Sequence, residues 1–351
     1  MTGADTPTPS FASTTAGTYR LSLTVIATDG QTATGSASIL VRPPAGWTYV
    51  YLASDPGDYI GAGTSYLYTP ADSSLSVSAS GGHLAVGVTG DEWWNGDFAE
   101  GSALGALAPG LNDQLTRYPF NDPARGGLDW SGEGRGCNTL TGWFVVDAVT
   151  YSGSTLTSID LRFEQHCEGA PPALHGEIHW YAGDTTQPPG PVAPPAGLWQ
   201  PAAGVTPATG SYVYLASDPG DYVGAGQTMM LTPASGTFTV TGSGAHLAFS
   251  YQGIPFTHWW YGDFQGMSSL AQLQPGYYGD LERYPFHNPV RGGLSWDGDG
   301  RGCNTLTGWF VIDAITYSGP TVTAVDLRFE QHCEGMAPAL HGQLHWTAAG
   351  P

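Results

Sequence analysis

The chain has 351 residues, with 10 basic and 30 acidic side chains and a formal charge of −20, and every basic residue is an arginine. This balance excludes a nucleic-acid backbone or an anionic membrane surface as the main partner, and no run approaches the roughly 20 apolar residues of a membrane-spanning helix. With 51 Gly, 27 Pro, 12 Trp, 18 Tyr and 12 Phe against 11% charged residues, the composition is that of an all-β, turn-rich protein of two or three domains.

Residues 1–46 form a segment of their own. Its first residues have neither a basic start nor an apolar middle, so no signal peptide is read there. From Gly17, GTYRLSLTVIATDGQTATGSASILV alternates strictly, with Tyr19, Leu21, Leu23 and Val25 on one face and a turn at Asp29 and Gly30. That pattern is a β-hairpin. It resembles the closing strands of a bacterial PKD or related immunoglobulin-like domain, which end in GTYxVxLxVxD, a turn and one more strand. The earlier strands of such a domain are missing, so the hairpin is expected to need a partner.

Residues 47–181 and 211–351 are two copies of one unit. TYVYLASDPGDYIGAG at Thr48 returns as SYVYLASDPGDYVGAG at Ser211, and RGCNTLTGWFVVDAVTYSG at Arg135 returns as RGCNTLTGWFVIDAITYSG at Arg301. A repeat of this length is a whole domain rather than a solenoid turn. Eight of the ten arginines fall at equivalent places: Arg117/Arg283, Arg125/Arg291, Arg135/Arg301 and Arg162/Arg328. In contrast, the stretches 64–78 and 227–241 have drifted apart.

Along each unit, SDPGDY reads as a turn entering a strand, with Asp58 and Asp221 as secondary candidates for ligand contact. The adjacent tryptophans of WWNGDF and WWYGDF face opposite ways in a strand, so one of each pair is core and one exposed. Exposed aromatics beside Asp, Arg and Asn suit sugar stacking, although core or interface filling is the plainer account of them. In the loop ending GEGRGCN or GDGRGCN, Asp297, Asp299 and Asn304 are candidate calcium ligands. The acids shift position between the copies, which favours a structural glycine loop.

The best-defined element is the hairpin GWFVVDAVTY, SGST, LTSIDLRFEQHC. A two-residue turn at Gly153 and Ser154 pairs Trp143 with Glu164, Val145 with Arg162, Asp147 with Asp160 and Tyr151 with Leu156. One face then holds Phe144, Val146, Ala148, Ile159, Leu161 and Phe163, a core face. The other holds Trp143, Asp147, Asp160, Arg162, Glu164 and His166, with Val145 and Val149 among them. The next strand, LHGEIHW, adds His175, Glu177 and His179 if it continues a meander. The candidate ligand site is therefore Trp143, Asp147, Arg162 and Glu164, with Trp309, Asp313, Arg328 and Glu330 as its twin. A merely solvated strand face carrying a structural ion pair is the plainer alternative.

Cys137 and Cys167 lie 30 residues apart, as do Cys303 and Cys333, and no CxxC spacing occurs. One disulfide within each unit is expected, and an exported protein with it; zinc held with His166 or His332 is the alternative. Between the units, residues 182–210 are a proline-rich, semi-rigid spacer. PPAG followed closely by a tryptophan precedes both units, at Trp47 and Trp199, and that tryptophan is expected to dock on its domain.

With GDYxGAG, WWxGDF, RYPF, FEQHCEG and ALHG, both units resemble a domain found repeatedly in secreted bacterial multidomain proteins, often beside PKD-like modules. The resemblance implies an extracellular context and supplies no catalytic residues. The expected fold is two tandem antiparallel β-sandwiches, jelly-roll-like, after the PKD-like hairpin. The expected function is a non-catalytic extracellular or cell-surface module binding carbohydrate or another cell-surface ligand, with no cofactor beyond the calcium question. A structural or adhesive spacer is the second reading. A glycan-acting enzyme is the third, with Glu164 and Glu177 or Glu164 and Asp147 as its carboxylate pair, although Gln343 replaces Glu177 in the second copy.

Overall fold

The structure is a computed structural model that describes all residues except 1–9, 12, 14–16, 42–45, 103–104, 257 and 349–351. The expected PPAG approach to the first unit therefore lies largely outside the described residues. The described chain is all-β. It divides into two compact units, one of residues 1–70 and 74–186 and one of residues 71–73 and 187–351.

The predicted hairpin forms as β1 (Gly17–Ile26) and β2 (Thr32–Val41), a two-stranded sheet of its own. Gly30, at φ 85°, sits in the turn. Leu23, Val25 and Ile26 remain exposed.

Ten further strands build the first unit. They are β3 (Tyr49–Ser54), β4 (Ser65–Tyr68), β5 (Ser74–Ser80), β6 (His83–Thr89), β7 (Trp93–Glu100), β8 (Gly110–Arg117), β9 (Gly126–Gly132), β10 (Leu140–Ser152), β11 (Thr155–Cys167) and β12 (Leu174–Tyr181). Their order in the sheet is β4-β3-β12-β11-β10-β8-β9-β7-β6-β5. The second unit repeats this order with β13 (Tyr212–Ser217), β14 (Thr228–Leu231), β15 (Gly236–Ser243), β16 (His246–Gly253), β17 (Trp259–Gln265), β18 (Gly276–Arg283), β19 (Gly293–Gly298), β20 (Leu306–Ser318), β21 (Thr321–Cys333) and β22 (Leu340–Thr347).

The sandwich is thus one continuous sheet per unit, folded over at the short parallel pair β8–β9. Its two layers meet through aromatic rings: Trp130 of β9 stacks on Phe163 of β11 at 5.2 Å, and Phe98 of β7 packs edge-on against Phe144 of β10 at 5.6 Å. Phe163 crosses over Gly176, where a Cβ would lie 1.9 Å from the ring, so only glycine fits opposite it. The buried amide of Gln165 both donates to and accepts from the backbone of Trp130, at 2.9 and 2.8 Å, tying the layers beside the cystine. Gln331 does the same for Trp296.

Cys137 bonds Cys167 and Cys303 bonds Cys333, each pair with Cα atoms 5.1 Å apart, as the repeated spacing predicts. Trp94 and Trp260 are core while Trp93 and Trp259 are exposed, again as alternation predicts.

The long hairpin departs from a simple period-2 count at two places, Asp147 on β10 and Thr157 on β11. Trp143 pairs with Glu164, Val145 with Arg162 and Tyr151 with Leu156, but a bulge at Asp147 puts Ala148 opposite Asp160. Ala148 is consequently exposed, and Val149 packs on the core in its place. A ladder unbroken at both places would set two carboxylates, Asp147 and Asp160, opposite each other, an unfavourable pairing. The second unit makes the same correction at Asp313, with Ala314 opposite Asp326 and Ile315 against the core.

Candidate functional site

The meander gathers the predicted polar side chains onto the outer face of β10, β11, β12 and β3, because residues opposite one another share a face. Trp143, Glu164, His175 and Ala53 form one cross-strand row, and Val145, Arg162, Glu177 and Tyr51 the next. A third holds Asp160, His179 and Tyr49. Trp143, Tyr51, Arg162, His175 and Glu177 enclose a shallow pocket of about 220 Å³.

Polar contacts within the face fix its side chains. Released from the ladder by its bulge, Asp147 accepts both the Nε (2.7 Å) and Nη2 (2.8 Å) of Arg162. The guanidinium holds the Asp147 carboxyl below the usual carboxylate range. Glu164 lies between His166 Nε2 at 3.1 Å and His175 Nδ1 at 3.2 Å. Burial opposes protonation of His166, but Glu164 and the carbonyls of Ala170 and Pro171 outweigh it and raise its pKa. Glu177 accepts the Tyr49 hydroxyl, and His179 pairs with Asp160.

The twin face has the same ladder: Glu330 lies 3.2 Å from His332 and 3.1 Å from His341, and Asp313 accepts from Arg328 at 2.9 and 3.3 Å. The His341 contact pushes the Glu330 carboxyl down to about 2, with His332 and the indole Nε1 of Trp309 reinforcing it against the cost of burial. In this unit, however, the face is covered. Trp199, from the predicted spacer, stacks on His341 at 5.0 Å and on Tyr214 at 6.4 Å, and its carbonyl accepts Nη1 of Arg328 at 3.0 Å. Side-chain exposure falls from 52% at Arg162 to 12% at Arg328, and from 44% at His175 to 14% at His341. Trp309 is buried where Trp143 is only half-buried, and it packs against Tyr277, whose counterpart is the exposed Leu111. Docking of the pre-unit tryptophan therefore occurs at Trp199, whereas Trp47 is exposed. The spacer is also no free tether, since Val192 exchanges backbone hydrogen bonds with Tyr277 of β18.

Other predicted residues have structural positions. Asp58 is buried, accepting Ser54 Oγ at 2.7 Å and the Gly61 amide at 2.8 Å, and Asp221 repeats this with Ser217 and Gly224. Both brace the turn through these bonds. Asp299 accepts the Trp259 amide (3.0 Å) and contacts His258 (2.6 Å). Asp297 and Asn304 line a hollow with Arg283 and Arg301, and guanidinium groups oppose a cation there. No group of three or more His, Cys, Asp or Glu side chains fit to hold a metal occurs among the described residues. Tyr51 and Tyr214 were missed in the sequence, although their alternation in VYLAS is the signal that places them on this face.

No family model, curated protein or solved structure matches the chain.

Proposed function

We propose that the chain is a non-catalytic extracellular binding module whose open ligand site is the pocket on the outer face of the first unit, taking a carbohydrate or another flat-faced cell-surface ligand. The observation that carries this reading is the pocket itself: two aromatic side chains, Tyr51 and Trp143, flank a guanidinium already aligned by Asp147. A ring of that kind stacks on an apolar ligand face, while Arg162 and the carboxylates bond its oxygens and hydroxyls.

The contacts of Asp147 and Glu330 support a non-catalytic reading of these two carboxylates. A general acid at neutral pH needs a raised pKa, whereas Asp147 is held low by Arg162 and Glu330 low by its histidines. One disulfide in each unit is compatible with an oxidising compartment, which supports the extracellular placement. No helix among the described residues is long and apolar enough to cross a membrane.

A glycan array probed with the whole chain and with Trp143→Ala tests the reading. It predicts a signal that the variant loses. The spacer reading is favoured by the internal satisfaction of the Glu–His and Asp–Arg contacts in both units, and it predicts no signal from either protein. Products released from a polysaccharide panel would instead revive the enzyme reading.

A further inference from the structure

The two units carry nearly the same outer face, but one is open and the other is filled by a segment of its own chain. The filled one displays what the residues accept. An indole lies flat on the imidazole of His341 and beside the ring of Tyr214, with planes 15° and 9° from parallel, while the backbone carbonyl of the same residue takes a hydrogen bond from Arg328. Tyr51, Arg162 and His175 occupy the equivalent positions in the first unit and line its open pocket.

The linker's geometry explains why one face is filled. Val192 is fixed on β18, and Trp199 reaches β22, three strands across in the order β18-β20-β21-β22. Seven extended residues reach about 22 Å, ample for three strand spacings of about 4.8 Å. In the first unit the corresponding tryptophan, Trp47, stands two residues before β3. His175 pairs with Ala53, six residues further along that strand and so about 20 Å away. Trp47 therefore cannot fold back onto this pocket, which stays open to a segment from elsewhere.

We propose that the first unit's pocket is a receptor for a tryptophan in an extended, proline-flanked segment of another polypeptide, bound as Trp199 is bound in the second unit. This rests on the reading of the face as a ligand site and replaces carbohydrate by peptide as its ligand. The indole stacks on His175 and Tyr51, and Arg162 donates to the tryptophan's carbonyl without leaving Asp147, as Arg328 does while holding Asp313. Proline on either side keeps the segment extended before it binds, which reduces the ordering cost.

The test is calorimetric titration of the whole chain with a capped peptide of residues 194–202, PPAGLWQPA, and with the same peptide carrying alanine for tryptophan. The wild-type chain should bind one tryptophan peptide, and Trp199→Ala should bind two. Arg162→Ala and His175→Ala should each weaken the wild-type site at least tenfold with an unchanged thermal melt, and the alanine peptide should bind none of these proteins. Peptide binding to Trp199→Ala at a single site, with none to the wild type, would overturn the proposal, as would binding indifferent to both pocket variants. If a glycan binds the wild type through Trp143 and the peptide does not, the peptide assignment falls while the ligand-site reading stands. If neither binds, both fall.

Discussion

The indole of Trp199 lies over the imidazole of His341, ring centroids 5.0 Å apart and planes 15° from parallel. His175, the counterpart of His341, has no such cover among the described residues. Two units with almost identical hairpins thus differ in the exposure of this face, where a residue outside both hairpins covers one of them. The tryptophans on the two faces are also unequally buried.

Trp309 is buried, bonded to Glu330 at 3.2 Å and packed on Tyr277, while Trp143 is half-buried at the rim of an open pocket. Trp309→Ala should cost about 3–5 kcal/mol, as for a large core side chain. Trp143→Ala should cost about 1 kcal/mol, since it buries much less surface. Calorimetric melts of the two variants check this, and equal losses would contradict it.

Each cystine closes a loop of 30 residues beside a buried glutamine that grips the facing layer. Replacing Cys137 and Cys167 together by serine should remove about 3–4 kcal/mol from the first unit. Non-reducing peptide mapping should recover only the pairs within units. A cross-unit pair, or a double variant as stable as the parent, would contradict the assignment.

The acid limb of the stability curve should report Glu330. Its carboxyl, ordinarily at 4.5, is pushed down to about 2 in the folded chain, first by His341. Between those values the unfolded chain binds more protons than the folded one, so stability rises with pH. The contribution is complete above the unfolded value and is lost as pH falls through the folded one. Glu330→Gln should therefore flatten the decline in melting temperature between pH 5 and pH 2, and an unchanged decline would show that the histidine contacts contribute nothing.

Much of this architecture was legible in the residues. Alternation placed Trp143, Arg162 and Glu164 on one face, and the count from the glycine-first turn meets the observed pairing of Trp143 with Glu164 because the bulges at Thr157 and Asp147 cancel. Equal cysteine spacing in two copies gave the cystines. Period-2 counting failed at Asp147 because it assumes an unbroken ladder, and nothing local marks the bulge that separates Asp147 from Asp160. The cover over the second face was partly legible, since a tryptophan after PPAG suggested docking. Its landing place was not, because contact between Trp199 and His341 is tertiary and spans 142 positions of chain. Asp58 read as a ligand contact because acids in turns are usually solvated, whereas here three hydrogen bonds to its own loop bury it.

One face is open and its twin is covered by the segment that carries Trp199, and carbethoxylation of histidine by diethyl pyrocarbonate, mapped by mass spectrometry, measures that difference directly. In the wild-type chain His175, 44% exposed, should react faster than His341, 14% exposed. In Trp199→Ala the rate at His341 should rise to that of His175, with His175 itself unchanged. Equal rates in the wild-type chain, or a rate at His341 that ignores the loss of Trp199, would contradict it.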